Sequence, residues 1–251
     1  MNKDIDSFTQ HISQQFNEEL ESLRTRLLEM GGLVEKQVHD AVTALIEADG
    51  QLAEKVREND KATNAMERQI DEECMRILAR RQPAASDLRL VVNISKIIVD
   101  LERIGDEASK IARRALHLIE EGQAPRGYVE CRHIGYHVHK MVQQSLDSFA
   151  RYDSQQALEV AREDKIVDQE YKTAMREMVT YMMEDPRSIS RVLNILWVLR
   201  SLERVGDHAR NVAEHVIHMV EGTNVRHLGL KRMAEQVQKN GQGQGQAPDA
   251  D

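Results

Sequence analysis

The chain is written twice. Leu101-Glu102-Arg103-Ile104-Gly105-Asp106 returns 101 residues later as Leu202-Glu203-Arg204-Val205-Gly206-Asp207, with five of six residues identical. Upstream the offset is 104: Met30-Gly31 aligns with Ile134-Gly135, Val34 with Val138, Val38 with Val142, Asp49 with Asp153, Val56 with Val160 and Asp60-Lys61 with Asp164-Lys165. The three-residue shortening falls in one connection, around residues 81–86 in the first copy and 184–187 in the second. A repeat of this kind settles the architecture before any single element is assigned.

Inside each copy the apolar spacing is helical. Ile94, Ile97, Leu101, Ile104, Ala108, Ile111, Ala115 and Leu118 step by three and four in alternation, a heptad seam over four heptads. The second copy repeats it with Ile195, Val198, Leu202, Val205, Ala209, Val212, Val216 and Met219. Asp49 and Asp153 predict helix N-caps, Ser86 predicts a cap for the run from Asp87, and Asp185-Pro186 predicts a cap followed by proline in the first turn. The predicted helices are 6–48, 50–80 and 87–120, then 126–152, 154–184 and 186–221.

The fold class is therefore all-α: two tandem homologous three-helix bundles, six long helices in all. The first repeat takes residues 1–122 and the second 123–222, with a flexible C-terminal tail over 223–251. The longer first helix carries Phe8, Ile12, Phe16, Leu20, Leu23 and Leu27 in loose helical spacing, an extension suited to covering the second bundle or a partner subunit. Gly241-Gln242-Gly243-Gln244-Gly245-Gln246 leads into an acidic end and reads as mobile.

Composition narrows the function classes. Among 251 residues, 34 Lys and Arg face 42 Asp and Glu, and the net charge of −8 opposes nucleic acid as the main ligand. The opening residues are polar, without the apolar core of a signal peptide. The longest uninterrupted apolar run is Ile195–Leu199, far below the roughly 20 residues of a spanning helix. Cys74 and Cys131 form no CxxC pair, which fits a reducing compartment and predicts a cytoplasmic protein.

Numbering the third helix by its seam puts Glu102 at b and Asp106 at f, two outward carboxylates one turn apart, and Glu203 with Asp207 repeats the pair. The second helix supplies a matching ladder, Asp60 with Asn64 and then Asp164 with Asp168. Outward acids are ordinarily only solvated. Four arrays in register, two in each copy, predict a cation instead, with iron, zinc, manganese and magnesium all chemically admissible and no organic cofactor. Glu67 and Glu170 lie near enough in sequence to add a ligand or a supporting acceptor. Gly105 and Gly206, mid-helix beside these acids, mark a close approach by a ligand or by a neighbouring helix. Arg103 and Arg204 suit a solvated helix-stabilising role better than phosphate binding.

Other motifs carry less. Glu130-Cys131-Arg132-His133 matches the ExxH pair of di-iron bundles but is not repeated, since Arg26 stands at the equivalent of Glu130. His133 and His137 have zinc-ligand spacing, although ten histidines make a chance pair the simpler reading. Trp197 and the eleven methionines read as core packing. No P-loop, GxGxxG, GxSxG or HExxH motif occurs.

The paired LERIGD and LERVGD segments, Arg-Arg-Gln-Pro-Ala-Ala-Ser-Asp-Leu-Arg over 80–89, and Tyr-Met-Met-Glu-Asp-Pro over 181–186 together resemble the PhoU family of bacterial phosphate-signalling regulators, from about His11 to Leu228. The resemblance implies two similar three-helix bundles, a homodimer, and metal bound through E(D)xxxD motifs. Those motifs fall on Glu102 with Asp106, Glu203 with Asp207 and Asp164 with Asp168, while Asp60 with Asn64 departs by an amide. It further implies negative control of the phosphate-starvation response and of phosphate uptake by a non-enzymatic adapter. The implied partners are the ATPase subunit of the phosphate transporter and the PhoR sensor kinase, with the membrane reached only through them. The alternative from residues alone is a di-metal carboxylate bundle enzyme or an iron-storage protein.

Overall fold

The structure, a computed structural model, describes residues 2–122, 126–226 and 228–243. The helices are α1 (Asn2–Glu47), α2 (Gly50–Arg81), α3 (Ala85–Glu121), α4 (Tyr128–Arg151), α5 (Ser154–Glu184), α6 (Ile189–Glu221) and α7 (Leu230–Gly243), with a single 3₁₀ turn at Pro186–Ser188 ahead of α6. No strand occurs among the described residues. All sixteen seam positions of α3 and α6 are buried, as their heptad spacing predicts.

The caps hold with one exception. Asp49 accepts from the Leu52 amide at 3.0 Å and Asp153 from the Gln156 amide at 2.9 Å, satisfying donors that the first helical turn leaves unpaired. Asp185 caps the turn at Pro186 by accepting from the Arg187 amide at 3.3 Å. Ser86 caps nothing: α3 begins earlier, its N-cap is Ala84, and Ser86 lies inside the first turn.

Each copy is a three-helix bundle, as the repeat predicts, and the two tandem bundles pack directly against each other. Helices α1, α3, α6 and α4 form a closed ring of neighbours, with α2 and α5 on its flanks, around one continuous apolar core. A pseudo-twofold axis relates the copies. A Cβ on Gly31 of α1 would overlap the Leu146 side chain of α4, and one on Gly135 of α4 would press on Val42 of α1; both residues in each contact are repeat-equivalent across it. The equivalent asparagines Asn93 and Asn194 likewise each bond the opposite helix, to His218 Nδ1 at 3.0 Å and to Arg114 Nη1 at 3.2 Å. Such reciprocal contacts are those of an isologous dimer, here within one chain.

The extension of α1 covers the second bundle. Leu20, Leu23 and Leu27 are buried, Arg24 donates to the Ala150 carbonyl at the end of α4, and its guanidinium lies 4.8 Å from the Tyr152 ring centroid. The side chains of Phe8 and Ile12 lie outside the described residues. The expected tail after residue 222 contains α7, whose Met233 and Val237 are buried four residues apart where the helix meets α5 and α6. Its glutamine and glycine content masked that short apolar stripe. Residues 244–251 lie outside the description.

Candidate metal centre

Each copy holds its acids in the groove between its second and third helices. In the first copy Asp60 and Asn64 come from α2, and Glu102 and Asp106 from α3. In the second, Asp164 and Asp168 come from α5, and Glu203 and Asp207 from α6. The b and f positions are thus less open than a free ridge: only Asp207 is exposed, and Asp164 is buried. The neighbouring helix covers what a lone amphipathic helix would present to water.

This partial burial leaves the carboxylates under strain. Burial, then the charge of Asp106, holds both Asp60 and Glu102 above the usual carboxylate pKa range. Burial, then Asp207, raises Glu203; burial, then Asp168, raises Asp207. Asp164 is raised by burial even though Arg210 opposes it. Raised carboxyls of this kind favour any ligand that restores the lost charge compensation.

The two grooves differ in what already compensates them. In the second, Arg210 Nη1 donates to Asp164 Oδ2 at 3.0 Å, and Arg200 Nη1 reaches both Glu203 oxygens at 2.7 Å. The residues at the equivalent positions of the first copy are Ser109 and Val99, which carry no charge. There Arg103 lies 3.5 Å from Glu102 and 3.9 Å from Asp106, and Lys110 and Arg113 act on Asp60 from further off. Asp60 Oδ1 and Asn64 Oδ1 are buried with no hydrogen-bond donor. These two orphaned acceptors, with the carboxylates of Glu102 and Asp106, supply the hard oxygen donors that a divalent cation takes, although Asp60, Glu102 and Asp106 do not bring their ligand atoms within 4.8 Å of one another. The amide at Asn64 removes a charge but keeps a carbonyl ligand. The second groove fits too, since ligand oxygens of Asp164, Asp168 and Asp207 lie within 4.8 Å of one another.

Several neighbouring residues have other roles than their spacing suggests. Cβ atoms placed on Gly105 and Gly206 would face α1 and α2, or α4 and α5, so neighbouring helices approach both glycines. Arg204 pairs with Glu107 at 2.9 Å and ties the two copies together. Glu67 remains near Glu102, whereas Glu170 turns away to α4, where it meets His133 at 3.0 Å. Glu130 and His133 stand on the outside of α4, not inward as di-iron ligands do. Trp197 is 57% exposed and Met183 is 79% exposed, so neither belongs to the core. Cys74 and Cys131 are buried free thiols, and burial pushes Cys74 up to about 12.

The two-copy groove architecture is also the architecture that known proteins share. The family model described as "PhoU domain" matches residues 27–115 and 131–216, one match per copy. This chain belongs to the PhoU family. It is 71% identical over 235 residues to the "phosphate-specific transport system accessory protein PhoU homolog" of Pseudomonas aeruginosa, covering 94% of this chain and 97% of that protein. It is 50% identical to the Escherichia coli K12 accessory protein PhoU, over 89% of this chain and 92% of that one. The PhoU crystal structure from P. aeruginosa superposes with a TM-score of 0.82 at 72% identity, covering 83% of this chain and all of the other. The Streptococcus pneumoniae phosphate transport regulatory protein PhoU gives 0.77 at 31% identity, covering 84% and 99%.

Proposed function

We propose that this protein regulates phosphate transport as a non-enzymatic adapter: a negative regulator of the phosphate-starvation response and of phosphate uptake that joins the transporter ATPase subunit to the PhoR sensor kinase. The observation that carries this reading is near full-length identity to proteins named as accessory to phosphate-specific transport. In it the adapter works as a cytoplasmic homodimer and meets the membrane only through its partners. No helix among the described residues is long and apolar enough to cross a membrane, which agrees with that arrangement.

The surface of α6 supports docking. Ile189, Leu193 and Trp197 stand exposed at successive intervals of four, an apolar stripe along one face. Trp197 borders a groove lined by Lys110, Arg113, Arg114, Arg200 and Arg204, an unusual basic patch on an acidic protein. The Arg114 guanidinium lies 5.6 Å from the Trp197 ring centroid. An exposed tryptophan beside arginines is the composition of an interface anchor.

Iron, zinc, manganese or magnesium would be held by Asp60, Asn64, Glu102 and Asp106 in the first groove and by Asp164, Asp168, Glu203 and Asp207 in the second. A bound cation would offset the repulsion of these acids and fix the outer surface of each bundle for a partner. In the second groove Arg210 of α6 already ties α5 to α6 through Asp164. Replacing Trp197→Glu should abolish capture of the purified transporter ATPase subunit at a concentration where the parent protein is saturated, with an unchanged helical circular dichroism spectrum. Undiminished capture by both Trp197→Glu and Leu193→Glu contradicts the docking face.

A further inference from the structure

A cluster of different donor chemistry lies between α4 and α5. His133 and His137 project from α4 one turn apart, with ring centroids 4.8 Å apart, and Glu170 of α5 reaches both. Glu170 Oε1 lies 3.0 Å from His133 Nε2 and 3.9 Å from His137 Nε2. Ligands on a tetrahedral zinc ion at its usual bond lengths stand about 3.4 Å apart, between these two values.

The support for His137 is of the kind that orients a metal ligand. Its Nδ1 lies 2.6 Å from Glu163 Oε1. A carboxylate accepts, so this contact suits an Nδ1–H donor, the tautomer whose Nε2 can bind a metal once it carries no proton. Nε2 points toward Glu170 Oε1, 3.9 Å away and beyond hydrogen-bond distance. The other oxygen, Glu170 Oε2, is buried without a donor. A buried carboxylate oxygen with no donor beside two imidazoles is what a ligand set short of its cation presents.

The duplication supplies an independent observation. The first-copy equivalents of His133, His137, Glu163 and Glu170 are Glu29, Leu33, Asn59 and Met66, none of them a matching residue. At the adjoining turn the first copy ties α1 to α2 through Arg26, which bonds Glu73 at 2.6 Å and Gln69 at 2.8 Å. In the second copy Arg26 has become Glu130, and Glu177 keeps the acid of Glu73. Both carboxylates line the pocket beside His133 and Glu170. The second copy has thus lost a cation and gained two imidazoles and further acid at one place, so the cluster is not inherited from the repeat.

We infer that His133, His137 and Glu170 form a binding site for a zinc-class divalent transition metal, oriented by Glu163 and open to solvent at the fourth position. Two imidazole nitrogens select such metals over magnesium or calcium. The site is separate from the oxygen-only grooves and serves as a structural clamp between α4 and α5.

Titration of the full-length protein with Co2+ in excess Mg2+, read by the visible absorption of the cobalt ion, tests it. The expected result is one saturable tetrahedral Co2+ equivalent that Zn2+ displaces. His133→Gln/His137→Gln should weaken Co2+ binding by at least about tenfold, and Glu163→Gln by about tenfold. Glu102→Gln/Asp106→Asn and Glu203→Gln/Asp207→Asn should leave it unchanged. Absence of a saturable cobalt band in the parent protein, or an undiminished band in the histidine double variant, overturns the site. Should the double variant lose its helical signal, His133→Gln alone decides, because that side chain is 61% exposed and its replacement leaves the core intact.

Discussion

Single side chains decide how the two grooves differ. Arg210 and Arg200 occupy the second-copy acids as built-in cations, whereas Asp60 Oδ1 and Asn64 Oδ1 have no donor at all. The spacing of the acids is legible in the sequence, as is the amide that replaces a carboxylate at Asn64. The compensating arginines lie on another helix or another turn, and their reach is a three-dimensional property. The glycines show the same limit. A Cβ on Gly206 would make only ordinary contacts, 3.5 Å from Val167 Cγ1 and 3.6 Å from Val138 Cγ1, while one on Gly105 would crowd Gln37 and Thr63 at 3.3 Å. Gly206→Ala should therefore stabilise the protein by up to about 1 kcal/mol through helix propensity, and Gly105→Ala should gain less or nothing. Urea denaturation of the two variants checks this, and equal gains would contradict the packing difference.

At the scale of elements, the six repeat helices follow from their heptad seams, because a sustained apolar stripe has no other way to leave water. Which stripes meet between copies is not written in the period. The contact of α3 with α6 is set by polar residues that a pattern of apolar positions ignores. Asp100 of α3 accepts from Asn211 at 3.0 Å and bonds His208 at 2.9 Å, with His215 3.5 Å away. Burial alone would raise its pKa, but the hydrogen bonds from His208, His215 and Asn211 outweigh burial and hold the carboxyl at about 2. A folded-state pKa below the unfolded one stabilises the fold above the unfolded value, and the contribution is lost as pH falls through the folded value. Asp100→Asn should thus cost about 2 kcal/mol at pH 7, with the deficit shrinking from about pH 4 downward. Urea unfolding of both proteins across that range measures it; a deficit independent of pH would contradict the assignment. Helix α7 escaped notice because its two buried positions, Met233 and Val237, give too short a pattern to stand out from a polar segment.

At the scale of the whole molecule, duplication has produced a pseudo-symmetric dimer inside one chain, with a shared core and one acid groove on each flank. The repeat was legible from LERIGD and LERVGD; the ring of α1, α3, α6 and α4 was not, since equivalent seams permit several pairings. The divergence between copies is equally informative, placing guanidinium groups in one groove and orphaned oxygens in the other. We read both grooves as cation sites, one in each copy. Calorimetric titration with Mn2+ of chelator-treated, exchanged protein tests it directly, comparing the parent with Glu102→Gln/Asp106→Asn and Glu203→Gln/Asp207→Asn. One groove event should be lost in the first variant and the other in the second, with any event at His133 and His137 kept in both. Unchanged stoichiometry and affinity in both variants would contradict it.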